Sequence, residues 1–189
     1  MKKKIVVLSA PSGGGKSVAA NYILENFPQI RFSISATTRQ KRNGEIEGQH
    51  YFFLKKQEFE EKIKSNEFVE FEEIFGNYYG TLKSEVDFNL KNNNLLLFDI
   101  DVKGAYSIKK HYANESLLIF LKPPSLEVLE TRLRNRKTET DEQINDRIAR
   151  AKMEISNCDN FDFVIVNDVL EETLKQIDEI LKENLFVNF

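Results

Sequence analysis

Residues 5–17 read IVVLSAPSGGGKS, and this stretch decides the fold. The apolar run from Ile5 to Leu8 predicts a buried strand, and a helical pattern follows the glycines over Lys16–Phe27. Consecutive glycines let backbone N–H groups converge on a phosphate, and the positive end of the following helix adds to the attraction. A lysine after the last glycine can reach the β- and γ-phosphates, and the next hydroxyl can ligate Mg²⁺. We therefore predict a triphosphate-binding loop formed by Ala10, Pro11, Ser12, Gly13, Gly14, Gly15, Lys16 and Ser17.

The loop departs from the pattern G-x-x-x-x-G-K-[ST] at one position, because Ala10 stands where the first glycine is expected. The alternative interpretation is a glycine-rich turn that happens to precede Lys-Ser. The apolar strand before the loop and the helix after it favour the phosphate loop.

Further apolar runs indicate a parallel sheet covered on both faces, since each run is continuous rather than alternating. The predicted strands are Lys4–Leu8, Leu95–Asp101, Leu117–Leu121 and Phe161–Val166. Helical spacing predicts Leu126–Arg136, Gln143–Ile155 and Val169–Leu185 in addition to the first helix. Strands that alternate with helices argue for an α/β fold, a three-layer core around a parallel sheet.

The segment Arg31–Thr81 differs in composition from the rest of the chain, because it is rich in aromatic residues, arginine, glycine and threonine. We expect short strands at Ser33–Thr37 and Tyr51–Leu54 and a helix at Gln57–Ser65. This region is interpreted as a smaller insertion with its own role.

Composition limits the classes of protein. The 189 residues suit one domain, and a net charge of −3 gives no basic footprint for nucleic acid. The single cysteine, Cys158, excludes an internal disulfide and fits a reducing compartment. The apolar run after the N-terminal lysines is too short for a secretory signal, and no run approaches a membrane span. We expect a cytoplasmic protein with no membrane or nucleic-acid partner.

A second phosphate site is indicated by the stretch SISATTRQKRNGEIEGQHYFF, residues 33–53. Arg39 and Arg42 are spaced so that both guanidinium groups can converge on one phosphate, and the Tyr51 hydroxyl adds a donor. The alternative is a solvated basic loop. Asp99 and Asp101 end an apolar strand, which is where α/β sheets bind ligands.

Together these segments resemble the guanylate kinase family over nearly the whole chain. The matching segments are APSGGGKS, SATTRQKRNGEIEGQHYFF, FVEFEEIFGNYYGT, LLLFDIDVKGA, RLRNRKTETDEQINDRI and FDFVIVND. The resemblance implies a core at residues 1–32, 82–125 and 158–189, a GMP-binding region at 33–81 and a helical lid at 126–157. One departure is Lys137, which stands where the family usually has glycine in the lid.

The resemblance also implies how GMP is held. The phosphate of GMP would contact Arg39, Arg42 and Tyr51, with Tyr79 beside them and Glu45 in the same region. The guanine base would be read by Ser35, Glu70, Thr81 and Asp99. The chemistry agrees, because guanine presents donors at N1 and N2 and an ionised carboxylate only accepts.

For ATP, the resemblance implies the loop together with Asn167 near the adenine, and Mg²⁺ held by Ser17 and Asp101. The charges expected to act on the transferred phosphoryl group belong to Lys16, Arg39, Arg136 and Arg147. The implied reaction is transfer from ATP to GMP, and to dGMP, in purine nucleotide metabolism.

Two alternatives to this enzyme are weighed. Guanylate-kinase-like domains in scaffold proteins bind peptides without turnover, but such domains typically degrade the loop, whereas Lys16, Ser17 and Asp101 are present here. A kinase for another small acceptor would share the loop, yet Arg39, Arg42, Tyr51, Glu70 and Asp99 argue against it. The sequence leaves the oligomeric state open between a monomer and a homo-oligomer.

Overall fold

The computed structural model describes residues 2–74, 76–135 and 140–185. Within these ranges the strands are β1 (Ile5–Ser9), β2 (Ile30–Phe32), β3 (Ala36–Thr37), β4 (Phe52–Phe53), β5 (Phe68–Ile74), β6 (Asn77–Leu82), β7 (Leu95–Asp99), β8 (Ser116–Lys122) and β9 (Phe163–Val166). The helices are α1 (Lys16–Asn26), α2 (Lys56–Lys64), α3 (Lys83–Lys91), α4 (Val102–His111), α5 (Leu126–Arg134), α6 (Asp141–Ser156) and α7 (Leu170–Leu185).

The central sheet has the strand order β2-β7-β1-β8-β9, and every neighbouring pair is parallel. β1 lies in the middle, with Val7 opposite Phe98 of β7 on one side and Leu118 of β8 on the other. All residues of β1 are fully buried, because helices cover both faces. The predicted α/β fold with a parallel sheet is confirmed.

Three layers result from the alternation of side chains along each strand. On one face, Val6 and Leu8 pack with Ile23 of α1 and Leu181 of α7. On the other face, Ile5 and Val7 pack with α3 and α4, and the buried thiol of Cys158 belongs to this second cluster. Each fully buried aliphatic side chain stabilises the fold by about 1.5–3 kcal/mol.

A smaller sheet has the order β4-β3-β6-β5 and is closed by α2. Its core is aromatic: Phe59 of α2 is fully buried and stacks on Phe68 and Tyr78, with ring centroids 4.2 and 5.2 Å away. Helices α5 and α6 pack against each other through Leu129, Leu133, Ile144 and Ala151. The small sheet and this helix pair lie beside the cleft described below.

Several boundaries differ from the sequence-based predictions. The predicted strand Ser33–Thr37 is wrong at its start: β2 ends at Phe32, the Ser33 N–H still bonds the Leu97 carbonyl at 2.9 Å, and β3 begins at Ala36. Residues 33–35 thus carry the chain from one sheet to the other. Strands β2, β5 and β6 and helices α3 and α4 were not predicted.

Two further differences concern the end of the chain. β9 starts at Phe163, because Phe161 is packed into the core before the strand begins. The last helix starts one residue later than predicted, at Leu170, which is 43% exposed. No helix in the described ranges is long and apolar enough to cross a bilayer.

Candidate active site

The loop between β1 and α1 has the backbone shape that its glycines permit. Gly13 and Gly15 have φ angles of 86° and 92°, in the region that favours glycine. The Gly14 N–H donates to the Pro11 carbonyl at 2.8 Å, which closes the turn. Gly15 is the N-cap residue of α1, so the loop ends at the positive end of the helix dipole.

Asn167, just after β9, supports this loop from below. It is 5% exposed, its Nδ2 donates to the Gly14 carbonyl at 2.8 Å, and its Oδ1 accepts from the Thr173 hydroxyl at 3.0 Å. A Cβ at Gly15 would come within 2.3 Å of the Asn167 Nδ2 atom. Loop and support are therefore fitted to each other, while the contact of Asn167 with adenine stays a prediction.

Lys16 links the loop to the neighbouring strand. Its Nζ lies 2.6 Å from Asp99 Oδ1 at the end of β7, and 3.4 Å from the Ile100 carbonyl. Lys16 and Asp99 were predicted to contact different nucleotides, and the structure brings the two side chains into direct contact. Asp101 caps α4, where its Oδ1 accepts from the Gly104 N–H at 2.8 Å.

A cleft of about 570 Å³ opens between the loop and α6. It brings together the predicted donor-site residues on the loop, Asp101 and Arg147. The lining residues are Ala10, Pro11, Ser12, Gly13, Gly15, Lys16, Ser17, Val18, Ile74, Asp101, Gln143, Asp146, Arg147, Arg150 and Glu154.

The start of helix α6 is fixed by side-chain capping of its first turn. The Thr140 hydroxyl accepts from the Gln143 N–H and the Gln143 side chain accepts from the Thr140 N–H, a capping box. Two turns on, Arg147 donates to the Ser12 hydroxyl of the loop. Arg136, predicted to act with Arg147, and Lys137 lie outside the described residues.

The predicted GMP-phosphate residues meet around Arg39. Its two terminal nitrogens contact both oxygens of Glu45, at 2.6 and 3.1 Å, and its guanidinium lies 5.4 Å from the Tyr51 ring centroid. Glu45 also accepts from the Arg42 N–H at 2.7 Å. The Arg39 bonds, then this N–H, lower the pKa of Glu45 to about 2, so the carboxylate that holds Arg39 is ionised at neutral pH.

Tyr79 completes this group. Its ring meets the Tyr51 ring edge-on with centroids 6.1 Å apart. The pKa of Arg39 is raised, first by the hydrogen bond to Glu45 and further by one to Tyr79. The charged guanidinium of Arg39 thus lies between the Glu45 carboxylate and the Tyr51 ring.

The predicted guanine-reading residues include one tight pair. The buried Thr81 hydroxyl donates to Glu70 Oε1 at 2.6 Å across β5 and β6. Burial raises the pKa of Glu70, and the negative charges of Asp101 and Glu72 raise it further, against the opposing effect of Thr81. Ser35 lies just before β3, in the segment that joins the two sheets.

Three charged residues were missed as site components. Arg150 contacts Glu72, Asp101 and Glu154, and of these four residues only Asp101 was predicted as part of the site. No local signal in the sequence pairs Arg150 with Glu72, because they are 78 residues apart. Glu154 was findable, since it follows Arg150 at the i,i+4 spacing of a helical ion pair.

Comparisons with known proteins identify the family of the chain. The family model described as guanylate kinase matches residues 2–184. A guanylate kinase of Rickettsia felis is 49% identical over 180 residues, covering 95% of this chain and 93% of that protein. A guanylate kinase of Chlorobium luteolum is 48% identical over 174 residues, covering 92% of this chain and 88% of that protein.

A solved structure matches as well. The crystal structure of guanylate kinase from Anaplasma phagocytophilum superimposes with a TM-score of 0.73 at 35% identity, over 99% of this chain and 88% of that one. The resemblance of the sequence segments is thus confirmed in both sequence and fold, and this chain belongs to the guanylate kinase family.

Proposed function

We propose that this chain transfers the γ-phosphoryl group of ATP to GMP, and likewise to dGMP, in the purine nucleotide metabolism of the cytoplasm. One observation carries the proposal: Lys16 of the triphosphate loop lies 2.6 Å from Asp99, the carboxylate assigned to guanine. With these assignments the donor and acceptor sites are adjacent at the carboxyl edge of the sheet, as a direct transfer requires.

The attacking group in this reaction is a phosphate oxygen, which is already anionic at neutral pH. No strong general base is needed, so catalysis rests on positioning and on neutralising charge. Two anions must be brought together. We assign the offsetting charges to Lys16 and Arg147 on the donor side, Arg39 and Arg42 on the acceptor side, and Arg136.

Acceptor choice follows from the carboxylates. Glu70 and Asp99, when ionised, accept from guanine N1 and N2, and Thr81 orients Glu70. Adenine presents no donors at the equivalent edge, so AMP would leave a carboxylate unpaired. We place Ser35 at the base and Tyr51, Tyr79 and Glu45 around the GMP phosphate.

For Mg²⁺, the donor set fits: the Ser17 hydroxyl and the Asp101 carboxylate are oxygen donors on one cleft, and Mg²⁺ is commonly held by one or two protein groups plus substrate phosphates. When bound, the ion supplies further neutralisation of phosphate charge. Around it we assign residues 33–81 to GMP binding and 126–157 to a lid, both closing on the core to exclude water.

The test is ADP release with ATP and Mg²⁺, offering GMP, AMP, CMP and UMP in parallel. We expect turnover with GMP alone. Lys16→Ala should remove turnover, by about 10²-fold or more, while leaving GMP binding nearly intact. Lys175→Ala, an exposed lysine on α7, is the matched control. No turnover by folded wild type with any acceptor would favour a binding module, and retained turnover in Lys16→Ala would refute the loop assignment.

A further inference from the structure

A second cavity, of about 530 Å³, lies at the amino ends of three neighbouring strands of the central sheet, β1, β2 and β7. The phosphate loop follows the carboxyl end of β1, and Asp99 is the last residue of β7, so the candidate active site lies at the other end of the same strands. Five residues of strand, a length of about 16 Å, separate the two. We call this cavity the amino-edge pocket, and the argument below uses its lining residues Lys2, Lys3, Lys4, Arg31, Asn93 and Leu95.

The amino-edge pocket is strongly basic, although the chain as a whole carries a net charge of −3. Four lining side chains are cationic, those of Lys2, Lys3, Lys4 and Arg31, and none of the described residues that line the pocket is acidic. Within residues 2–74, 76–135 and 140–185, none of these four cations forms an ion pair. Like charges gathered in one place repel one another, so the pocket favours an anion that offsets them.

One wall of the pocket is held in a fixed arrangement. Lys4 Nζ donates to Asn93 Oδ1 at 2.8 Å and to the Leu90 carbonyl at 3.4 Å, at the end of α3. Because the oxygen of the Asn93 amide accepts from Lys4, the Nδ2 of the same amide remains as a donor, and it makes no hydrogen bond to any residue in the described part of the chain. This wall therefore presents a positioned cation beside an unused amide donor.

The cations at the rim are free to reach a ligand. Lys2 and Arg31 are exposed, and their side chains make neither hydrogen bonds nor ion pairs with the described residues. Arginine offers a planar fork of donors that matches phosphate oxygens, and lysine adds a point charge. The volume lies in the range of small-molecule pockets, about 300–1,000 Å³. A chain of linked phosphates could therefore touch several of these cations together, which a single phosphate could not.

We propose that the amino-edge pocket is a second anion site, which binds small molecules that carry two or more linked phosphate groups. Lys4 and the Asn93 amide form its fixed wall, and Lys2 and Arg31 contact the phosphates from the rim. The linked phosphates belong either to an inorganic oligophosphate or to a nucleotide. The pocket shares no lining residue with the cleft of the candidate active site, so this proposal does not depend on the proposed phosphoryl transfer.

The test is a titration of the ¹⁵N-labelled protein with inorganic tripolyphosphate, without Mg²⁺, followed by two-dimensional NMR. The backbone amides of Gln29, Asn94 and Leu95 report on the amino-edge pocket, and those of Gly13 and Gly14 report on the phosphate loop. We expect the pocket amides to shift with a saturable Kd below about 1 mM, and inorganic phosphate to bind there more weakly. Shifts confined to the loop amides would overturn the proposal.

A pair of double variants separates a specific site from a general effect of charge. Lys2→Gln with Arg31→Gln removes both rim cations, and the Kd at the pocket should rise about 3–10-fold. The matched control is Lys64→Gln with Lys175→Gln, which removes the same charge from exposed positions on α2 and α7 and should leave this Kd unchanged. The Kd at the loop should be the same in both. Equal pocket Kd values in the two double variants would overturn the proposal.

Two further arms identify what carries the phosphates. ATP is titrated in the same way: saturation of the pocket amides by ATP assigns the site to nucleotides, and saturation by tripolyphosphate alone assigns it to inorganic oligophosphate. A short single-stranded RNA is the second arm, and tighter binding of RNA than of tripolyphosphate at the pocket amides would overturn the assignment to small molecules. Raising KCl should weaken tripolyphosphate binding, because the rim cations are exposed and their attraction is screened.

Discussion

Asn167→Ala tests whether the loop depends on its buried support. The variant removes two side-chain hydrogen bonds, one to the Gly14 carbonyl and one from the Thr173 hydroxyl. Thr173 keeps its second acceptor, the Val169 carbonyl at 3.1 Å, so only Gly14 loses a partner from below. A buried carbonyl left unpaired costs about 1–3 kcal/mol.

We therefore expect the free energy of unfolding to fall by about 2–3 kcal/mol, which for a chain of this size lowers Tm by roughly 4–12 °C. Urea denaturation followed by far-UV circular dichroism is the assay, because the chain contains no tryptophan. Thr173→Val is the graded control: it removes the hydroxyl contacts to Asn167 Oδ1 and to the Val169 carbonyl, which keeps the Thr173 N–H, while the bond from Asn167 to Gly14 stays, so this variant should cost less. A loss below about 0.5 kcal/mol in Asn167→Ala, within the range of an ordinary surface change, would refute the reasoning.

A double variant tests the contact between Gly15 and the Asn167 side chain from the glycine side. Gly15→Ala places a methyl group 2.3 Å from the Asn167 amide, on top of the left-handed strain of about 1–2 kcal/mol at that position. In an Asn167→Ala background the clash is gone and only the strain remains. Gly15→Ala should thus be less harmful in the double variant than alone, and equal effects in both backgrounds would contradict the contact.

Two further predictions concern the acceptor side. Because burial raises the pKa of Glu70, protonation should begin to weaken GMP binding at a pH above the usual glutamate range, and Glu70→Gln should lower affinity and flatten this acidic limb in calorimetric titrations. A raised pKa also means that protonated Glu70 stabilises the fold, and that this stability is lost as the pH rises through the folded-state pKa of Glu70. At neutral pH without ligand, Glu70→Gln should therefore unfold at a higher denaturant concentration than wild type. A transition at a lower concentration would count against the burial argument. Phe59→Ala empties the stack between Phe68 and Tyr78 and should cost about 3–5 kcal/mol in urea denaturation. As urea is raised, that variant should lose GMP binding at a lower urea concentration than ATP binding. The reverse order would contradict a separate core for the small sheet.

What the sequence could predict follows from how local each signal is. The runs at Ile5–Leu8 and Leu117–Leu121 are continuous and apolar, so the central strands were predicted almost to the residue. β2 was missed because it has three residues, one of them Arg31, and is defined by pairing with β7. β3 and β4 have only two residues each, yet they lie within the predicted strands Ser33–Thr37 and Tyr51–Leu54.

The same limit applies to the candidate site. The loop could be predicted because its glycines, Lys16 and Ser17 are consecutive. The support by Asn167 could not, since it joins residues 153 apart. Helix α6 was predicted to start two residues late and to end one residue early, although Thr140 and Gln143 show the capping-box spacing that marks its start.

The position of β1 in the sheet has a consequence for how the protein is made. β1 is complete at residue 9, yet both of its neighbours, β7 and β8, begin only at residues 95 and 116. At ribosomal rates of about 5–20 residues per second, the segment waits roughly 5–20 s for its partners. During that interval its apolar side chains, which are fully buried in the folded protein, lack the burial that β7 and β8 give them until β8 is complete at Lys122.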